Sequence, residues 1–154
     1  MSLDQFDRAI LREVQQDANL SQIELGERVN LSSAAVNRRL KNLAAEGVIQ
    51  KTVAQVHAAT LGYGVTVIAE VAVESERLEW LDAMKQTFLQ CPQVQQCYYV
   101  AGEFDFVLIM LVRDMEHYTQ LTRELFFESN NVKRFRTLVS MSTIKTGMTV
   151  PVDR

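Results

Sequence analysis

The sequence predicts an α+β protein, a winged-type helix-turn-helix bundle followed by a ferredoxin-like βαββαβ domain. Three observations carry this. Residues 1–50 show helical apolar spacing, broken twice by capping signals. From Tyr63 the pattern changes to strand, helix, strand. That unit then occurs a second time. The 154 residues suffice for two small domains, expected at 1–50 and 63–154 with a linker strand over 51–62.

Leu3, Phe6, Ile10, Leu11 and Val14 recur at helical spacing, so residues 4–16 should form an amphipathic helix. SQIE at 21–24 reads as a capping box opening a short helix that ends near Asn30. Ser32 or Ser33 caps a third helix running to about Glu46, with Gly47 stopping it. Two short helices joined by a tight turn and supported by a third describe a helix-turn-helix. GVIQKTVAQV then alternates loosely and is expected to be a strand or wing.

In the second half, GVTVIAEVAV reads as a strand, ERLEWLDAMKQTFLQ as a helix and VQQCYYVA as a strand. FDFVLIMLV is a third strand, Asp114 caps a second helix, and NNVKRFRTLVSMSTIK closes as a long fourth strand. Two helices cover only one face of four strands. Val67, Ala69, Val71, Cys97, Tyr99, Leu108 and Met110 are too many for those helices alone to bury, so self-association is expected.

Hydrophobic residues make up 47% and charged residues 23%, which fits a packed globular chain, and no apolar run reaches the roughly 18 residues of a membrane span. A cytoplasmic location without membrane partners is expected. Cys91 and Cys97 lack CxxC spacing and read as reduced, packed thiols; His57 and His117 lie apart, so no metal is expected. No phosphate-cradling glycine loop or nucleophile elbow occurs, so neither a cofactor nor an enzymatic activity is expected.

The net charge of −3 argues against nucleic acid, but its distribution matters more. Arg28, Arg38, Arg39 and Lys41 fall in a stretch from 28 to 45 that holds no acid. On the third helix Val36, Leu40 and Leu43 share one side. Ala34, Arg38, Lys41 and Asn42 take the opposite side, flanked by Ala35 and Asn37. With Ser32, Ser33 and Arg39 these are the candidate DNA-contacting residues. Alanine lets a backbone approach a thymine methyl, and Asn and Arg can pair with base edges. A small helical bundle with a basic solvent face has the same pattern. Glu103 and Asp105 are two apart and point the same way on a strand, which suits a solvated hairpin as well as a site.

The chain resembles the Lrp/AsnC (feast/famine) family of transcription regulators over nearly its whole length. The resemblance rests on LDQFDRAIL at 3–11, SQIELGERVNLS at 21–32, RRLKNLAAEGVI at 38–49, YYVAGEFDFVL at 98–108 and the TLVSMSTIK ending. It implies a DNA-binding helix-turn-helix on double-stranded DNA and a ferredoxin-like domain that dimerises through its sheet and often assembles further, to tetramers or octamers. It also implies a free amino-acid effector bound between dimers, at a loop of Val100, Ala101, Gly102, Glu103, Phe104 and Asp105, with Thr137 and Ser140 of the last strand nearby. Asp105 would hold the ammonium, backbone N–H groups around Gly102 would receive the carboxylate, and Gly102 would allow close approach. Two departures stand out. Ser32-Ser33 replaces the family's usual Ser-Pro, and Asn37 replaces an apolar residue, which is expected to change operator preference. Two other readings compete: a DNA-architectural protein without ligand response, and an enzyme like the siroheme decarboxylases that resemble this architecture. The absence of Lys, Arg and His from residues 94–112 counts against the latter, whose substrate carries many carboxylates.

Overall fold

The computed structural model describes residues 2–129 and 131–153, which form two compact units. One runs to Gln55 and also takes in the residues from Lys145 on; the other is Val56–Ile144.

The first unit contains α1 (Gln5–Gln16), α2 (Gln22–Val29) and α3 (Ser33–Ala45). Each helix begins where the chain supplies a cap. Asp4 accepts from the N–H groups of Phe6 and Asp7, and the Asp7 carboxylate accepts from the N–H of Asp4. Ser21 and Glu24 form the expected reciprocal box at 3.2 and 2.9 Å. Ser32 rather than Ser33 caps α3. Gly47, at φ 71°, ends that helix in the left-handed conformation. Ile10, Leu11, Leu25, Val29, Val36 and Leu43 are buried together, with Leu3, Val14, Leu40 and Ile49 packed around them.

The second unit holds β1 (Val65–Val73), α4 (Leu78–Gln90), β2 (Val94–Tyr99), β3 (Phe106–Val112), α5 (Met115–Thr122) and β4 (Val132–Val139). The strands form an antiparallel sheet in the order β2-β3-β1-β4, the ferredoxin-like arrangement. Asp114 caps α5 through the N–H of His117 at 2.8 Å. A π-helical turn, Arg123–Phe127, follows α5 and keeps Leu125 and Phe126 buried with Leu121. Phe88 of α4 meets Phe106 and Phe126 edge-on at 5.4 and 6.3 Å. The buried side chain of Asn131 exchanges two hydrogen bonds with the backbone of Ser75, joining the end of β1 to the start of β4.

Four expectations change. Residues 51–57 form no strand, and Val53 and Val56 are exposed; a strand needs a neighbouring edge to receive its backbone hydrogen bonds, and alternation alone supplies none. A 3₁₀ turn, Ala58–Leu61, follows instead. The fourth strand ends at Val139, which pairs with Val67. The N–H of Ser140 makes one more bond, to Thr66, and beyond it β1 offers almost no more edge. Asn130, placed at the head of that strand by the sequence, lies outside the described residues. The chain from Lys145 on groups with the helical unit rather than with the sheet.

The fourth correction concerns the open face. Val67, Ala69, Val71, Leu108 and Met110 are fully buried in the helix-covered core, and Cys97 packs against it. The other parity, Ile68 on β1, Tyr98 on β2, Val107, Ile109 and Leu111 on β3 and Leu138 on β4, faces away from the helices. The expectation of an uncovered apolar face therefore holds, on the opposite set of residues apart from Tyr99, which is exposed at the end of β2.

Candidate DNA-binding face and effector loop

The turn between α2 and α3 is tight because of two residues. Asn30 takes the left-handed conformation at φ 56°, and Gly26 lies against the Leu31 carbonyl, where a Cβ would sit 2.5 Å from the oxygen. This close approach sets where α3 begins. Val36 and Leu43 are buried and Leu40 half-buried, whereas Ser33, Ala34, Arg38, Lys41 and Asn42 are exposed and Ala35 and Asn37 half-exposed. Among the described residues, neither Arg38 nor Lys41 has a carboxylate within ion-pair distance.

Arg39 differs from the expectation. Its guanidinium reaches back to α1, 2.8 Å from Asp4 and 2.7 Å from Asp7, and lies 5.4 Å from the centre of the Phe6 ring. Asp7 is 4% exposed, so this is a largely inward ion pair rather than a surface cation. The helical wheel carries the signal: at about 100° per residue, Arg39 lies roughly 60° from Val36 and 40° from Leu43, beside the core stripe. Arg28 is likewise paired, with Glu13 at 2.9 Å. The acid-free stretch thus leaves Arg38 and Lys41 as its unpaired cations.

In the sheet unit, Val100–Asp105 is the loop between β2 and β3, closed by a 2.8 Å bond from the Val100 N–H to the Asp105 carbonyl. The Asp105 carboxylate has a structural partner. Its Oδ2 accepts the N–H of Val73 at 2.8 Å, at the point where the β1–β4 register shifts between Ala72 and Val73. Val73 lies two residues past the last β1–β3 pair, Val71 with Phe106, so its N–H on that side has no strand partner and Asp105 receives it. Oδ1 has no hydrogen-bond partner among the described residues. Glu103 pairs with Arg134 at 2.9 Å. Phe104 is buried, with the guanidinium carbons of Arg134 and Arg136 4.8 and 4.9 Å from its ring centre. Arg136 in turn pairs with Glu70, whose carboxyl is held below its usual range by that hydrogen bond.

A shallow cleft of about 410 Å³ is lined by Glu76, Tyr99, Val100, Ala101, Gly102 and Asp105. Glu76 and Tyr99 were missed by sequence reasoning, since only the fold brings residue 76 to the loop; Tyr99 adjoins the motif and was within reach. Gly102 is outside the left-handed region and a Cβ there meets nothing within 4 Å, so neither backbone strain nor this chain's own packing demands glycine. Thr137 and Ser140 are not at the loop. Thr137 sits opposite Ala69, two to four residues along β1 from the Val71–Val73 end that holds Asp105, but its hydroxyl bonds that of Tyr118 at 2.7 Å; the N–H of Ser140 bonds Thr66, five to seven residues from that end. At about 3.3 Å per residue this is on the order of 15–25 Å.

A helix-turn-helix with an unpaired basic face, joined to a ferredoxin-like sheet with an acidic loop cleft, defines a transcriptional regulator with a DNA-binding and a ligand-binding domain. Comparison with known proteins agrees. Residues 66–150 match the Lrp/AsnC ligand binding domain and residues 3–50 a winged helix-turn-helix DNA-binding domain. An uncharacterised HTH-type transcriptional regulator of Sinorhizobium fredii is 39% identical over 99% of this chain and 90% of its own. The leucine-responsive regulatory protein of Escherichia coli is 31% identical over 93% and 87%. A Neisseria meningitidis transcriptional regulator, solved as a complex with L-Met, shares the fold at a TM-score of 0.93 and 24% identity, over 99% of this chain and 98% of that one. The chain belongs to the Lrp/AsnC family of transcriptional regulators.

Proposed function

We propose that this protein is a sequence-specific regulator, not an enzyme, whose assembly or DNA binding responds to a free amino acid. The observation that carries the DNA half is the α3 face, with Ala34, Asn37, Arg38, Lys41 and Asn42 turned away from the core and both cations unpaired. Ala34 at the helix start admits the backbone to a major groove, and Arg38 and the two asparagines offer base-edge partners. Ser32 acts by capping α3, and Arg39 acts indirectly, by holding that helix to α1.

The effector half rests on the cleft beside Asp105. Its free Oδ1 and the nearby Glu76 carboxylate suit an ammonium, and the N–H groups of the Ala101–Gly102 turn suit a carboxylate. Ser140 lies too far along the sheet to serve the same protomer's loop, and the Thr137 hydroxyl is taken up by Tyr118, so a contribution from either would come from another copy. The apolar open face, with Ile68, Ile109 and Leu111, supports dimerisation through the sheet, with assembly of dimers beyond that. An amino acid bound between copies biases whichever assembly binds it better. The relation to a leucine-responsive protein makes leucine the first effector to try.

Operator duplexes selected from a random pool by the full-length protein, then titrated in gel shifts with and without each of the twenty amino acids, test both halves. Arg38→Ala is expected to narrow the gap between selected and scrambled duplexes by about 1–3 kcal/mol. Asp105→Asn preserves an acceptor for Val73 while removing the charge, and is expected to abolish the amino-acid response with DNA affinity intact. A wild-type response from Asp105→Asn would refute the site; absence of any response in the wild type would favour an architectural role.

A further inference from the structure

Beyond β4 the chain first loses and then regains packing. Residues 141–149 have no regular structure, and Met141, Ile144 and Met148 are almost fully exposed. Packing returns at Val150–Asp153. The Gln15 side chain of α1 makes a two-point match with the backbone of Val150: Nε2 donates to its carbonyl at 3.1 Å and Oε1 accepts its N–H at 2.8 Å. Three residues earlier on α1, Arg12 donates to the Asp153 carbonyl at 3.2 Å. Between these anchors Val152 packs against the helical core, while Val150 points outward, as expected of an extended segment. Pro151 favours that shape, since it biases Val150 towards extended backbone and carries no N–H to satisfy.

α1 is also the helix that grips α3, through Asp4, Asp7 and Arg39. We propose that Val150–Asp153 is a docking strap of the DNA-binding unit, which steadies α1 and through it α3, the helix offered to DNA. The role in DNA binding rests on the reading of α3 given above; the docking itself does not.

The test uses two full-length variants, Gln15→Ala, which removes the two-point match, and Val152→Asp, which places a carboxylate where the strap meets the core. Hydrogen exchange by mass spectrometry and affinity for a wild-type-selected operator are measured on each. Two lost hydrogen bonds correspond to roughly a tenfold effect. Both variants should exchange about that much faster in peptides from α1 and α3, remain unchanged in β1 and β3, and bind the operator about tenfold more weakly. Exchange in α1 within twofold of wild type in both variants would overturn the docking. Faster exchange with unchanged operator affinity would overturn the link to the recognition helix. If the wild type selects no operator at all, the reading of α3 fails, and the exchange comparison still decides whether the strap is docked.

Discussion

The helical unit closes its core within one chain, whereas the sheet unit leaves an apolar face open. In the first, every helix start is capped, six aliphatic side chains are buried together, and the residues offered to DNA share one face of one helix. In the second, Ile68, Val107, Ile109 and Leu111 face away from the helices, and the residues expected around the effector divide between the two ends of the sheet. On the reading proposed above, the contrast separates a function a single protomer can display from one that would draw on a second copy. Local spacing suffices for the former; the latter, as proposed, would depend on a surface completed by another chain.

The contrast breaks most sharply at the open face. Ile109→Asp puts a carboxylate in the middle strands of that surface and is expected to weaken self-association at least about a hundredfold, read by sedimentation, with the helical unit still folded. A variant that associates as wild type does would move the interface elsewhere. Gly26→Val acts on the other unit alone. Its Cβ meets the Leu31 carbonyl, so the helix-turn-helix should lose about 1–3 kcal/mol in urea unfolding while the sheet transition stays put.

Arg39→Ala against Arg38→Ala sharpens the comparison within α3. The first leaves the inward Asp7 without its partner and should cost about 1–2 kcal/mol of stability; the second should leave stability within about 0.5 kcal/mol and act on DNA alone. Equal stability losses would return Arg39 to the surface. The smallest effect is expected from pH. Asp4 is held below its ordinary value of 3.8, chiefly by the backbone N–H of Asp7 and also by Arg39, and Glu24 below 4.5 by the Ser21 hydroxyl and N–H. Both carboxyls are depressed on folding, so their contribution is full above those values and disappears as pH falls through the lower folded values. Stability of the helical unit, followed by circular dichroism, should not change on their account from about pH 5 to 8 and should decline below about pH 4.

Much of this was legible in the residues. SQIE announced a cap, Gly47 a stop, and the doubled strand–helix–strand pattern the sheet topology, because each depends on neighbours within a few positions. The carboxylate of Asp105 was marked by its place in an apolar run, but its bond to Val73 was not, since that partner lies 32 residues away and its N–H is left over only because β3 stops pairing with β1 at Val71. Parity misled on the open face: Val67, Ala69 and Met110 are as apolar as Ile68 and Ile109, and alternation alone does not say which set the helices cover.

By itself, the sequence determined the two-part organisation, the helix boundaries and the family, because capping boxes, apolar periods and motif spacings are short-range properties of the chain. Only the tertiary structure decided that Arg39 turns inward to Asp4 and Asp7, that Glu76 reaches the Asp105 cleft and Ser140 does not, and that Val150–Asp153 returns to α1. Those outcomes join residues tens of positions apart in sequence, where packing rather than local preference selects the partner.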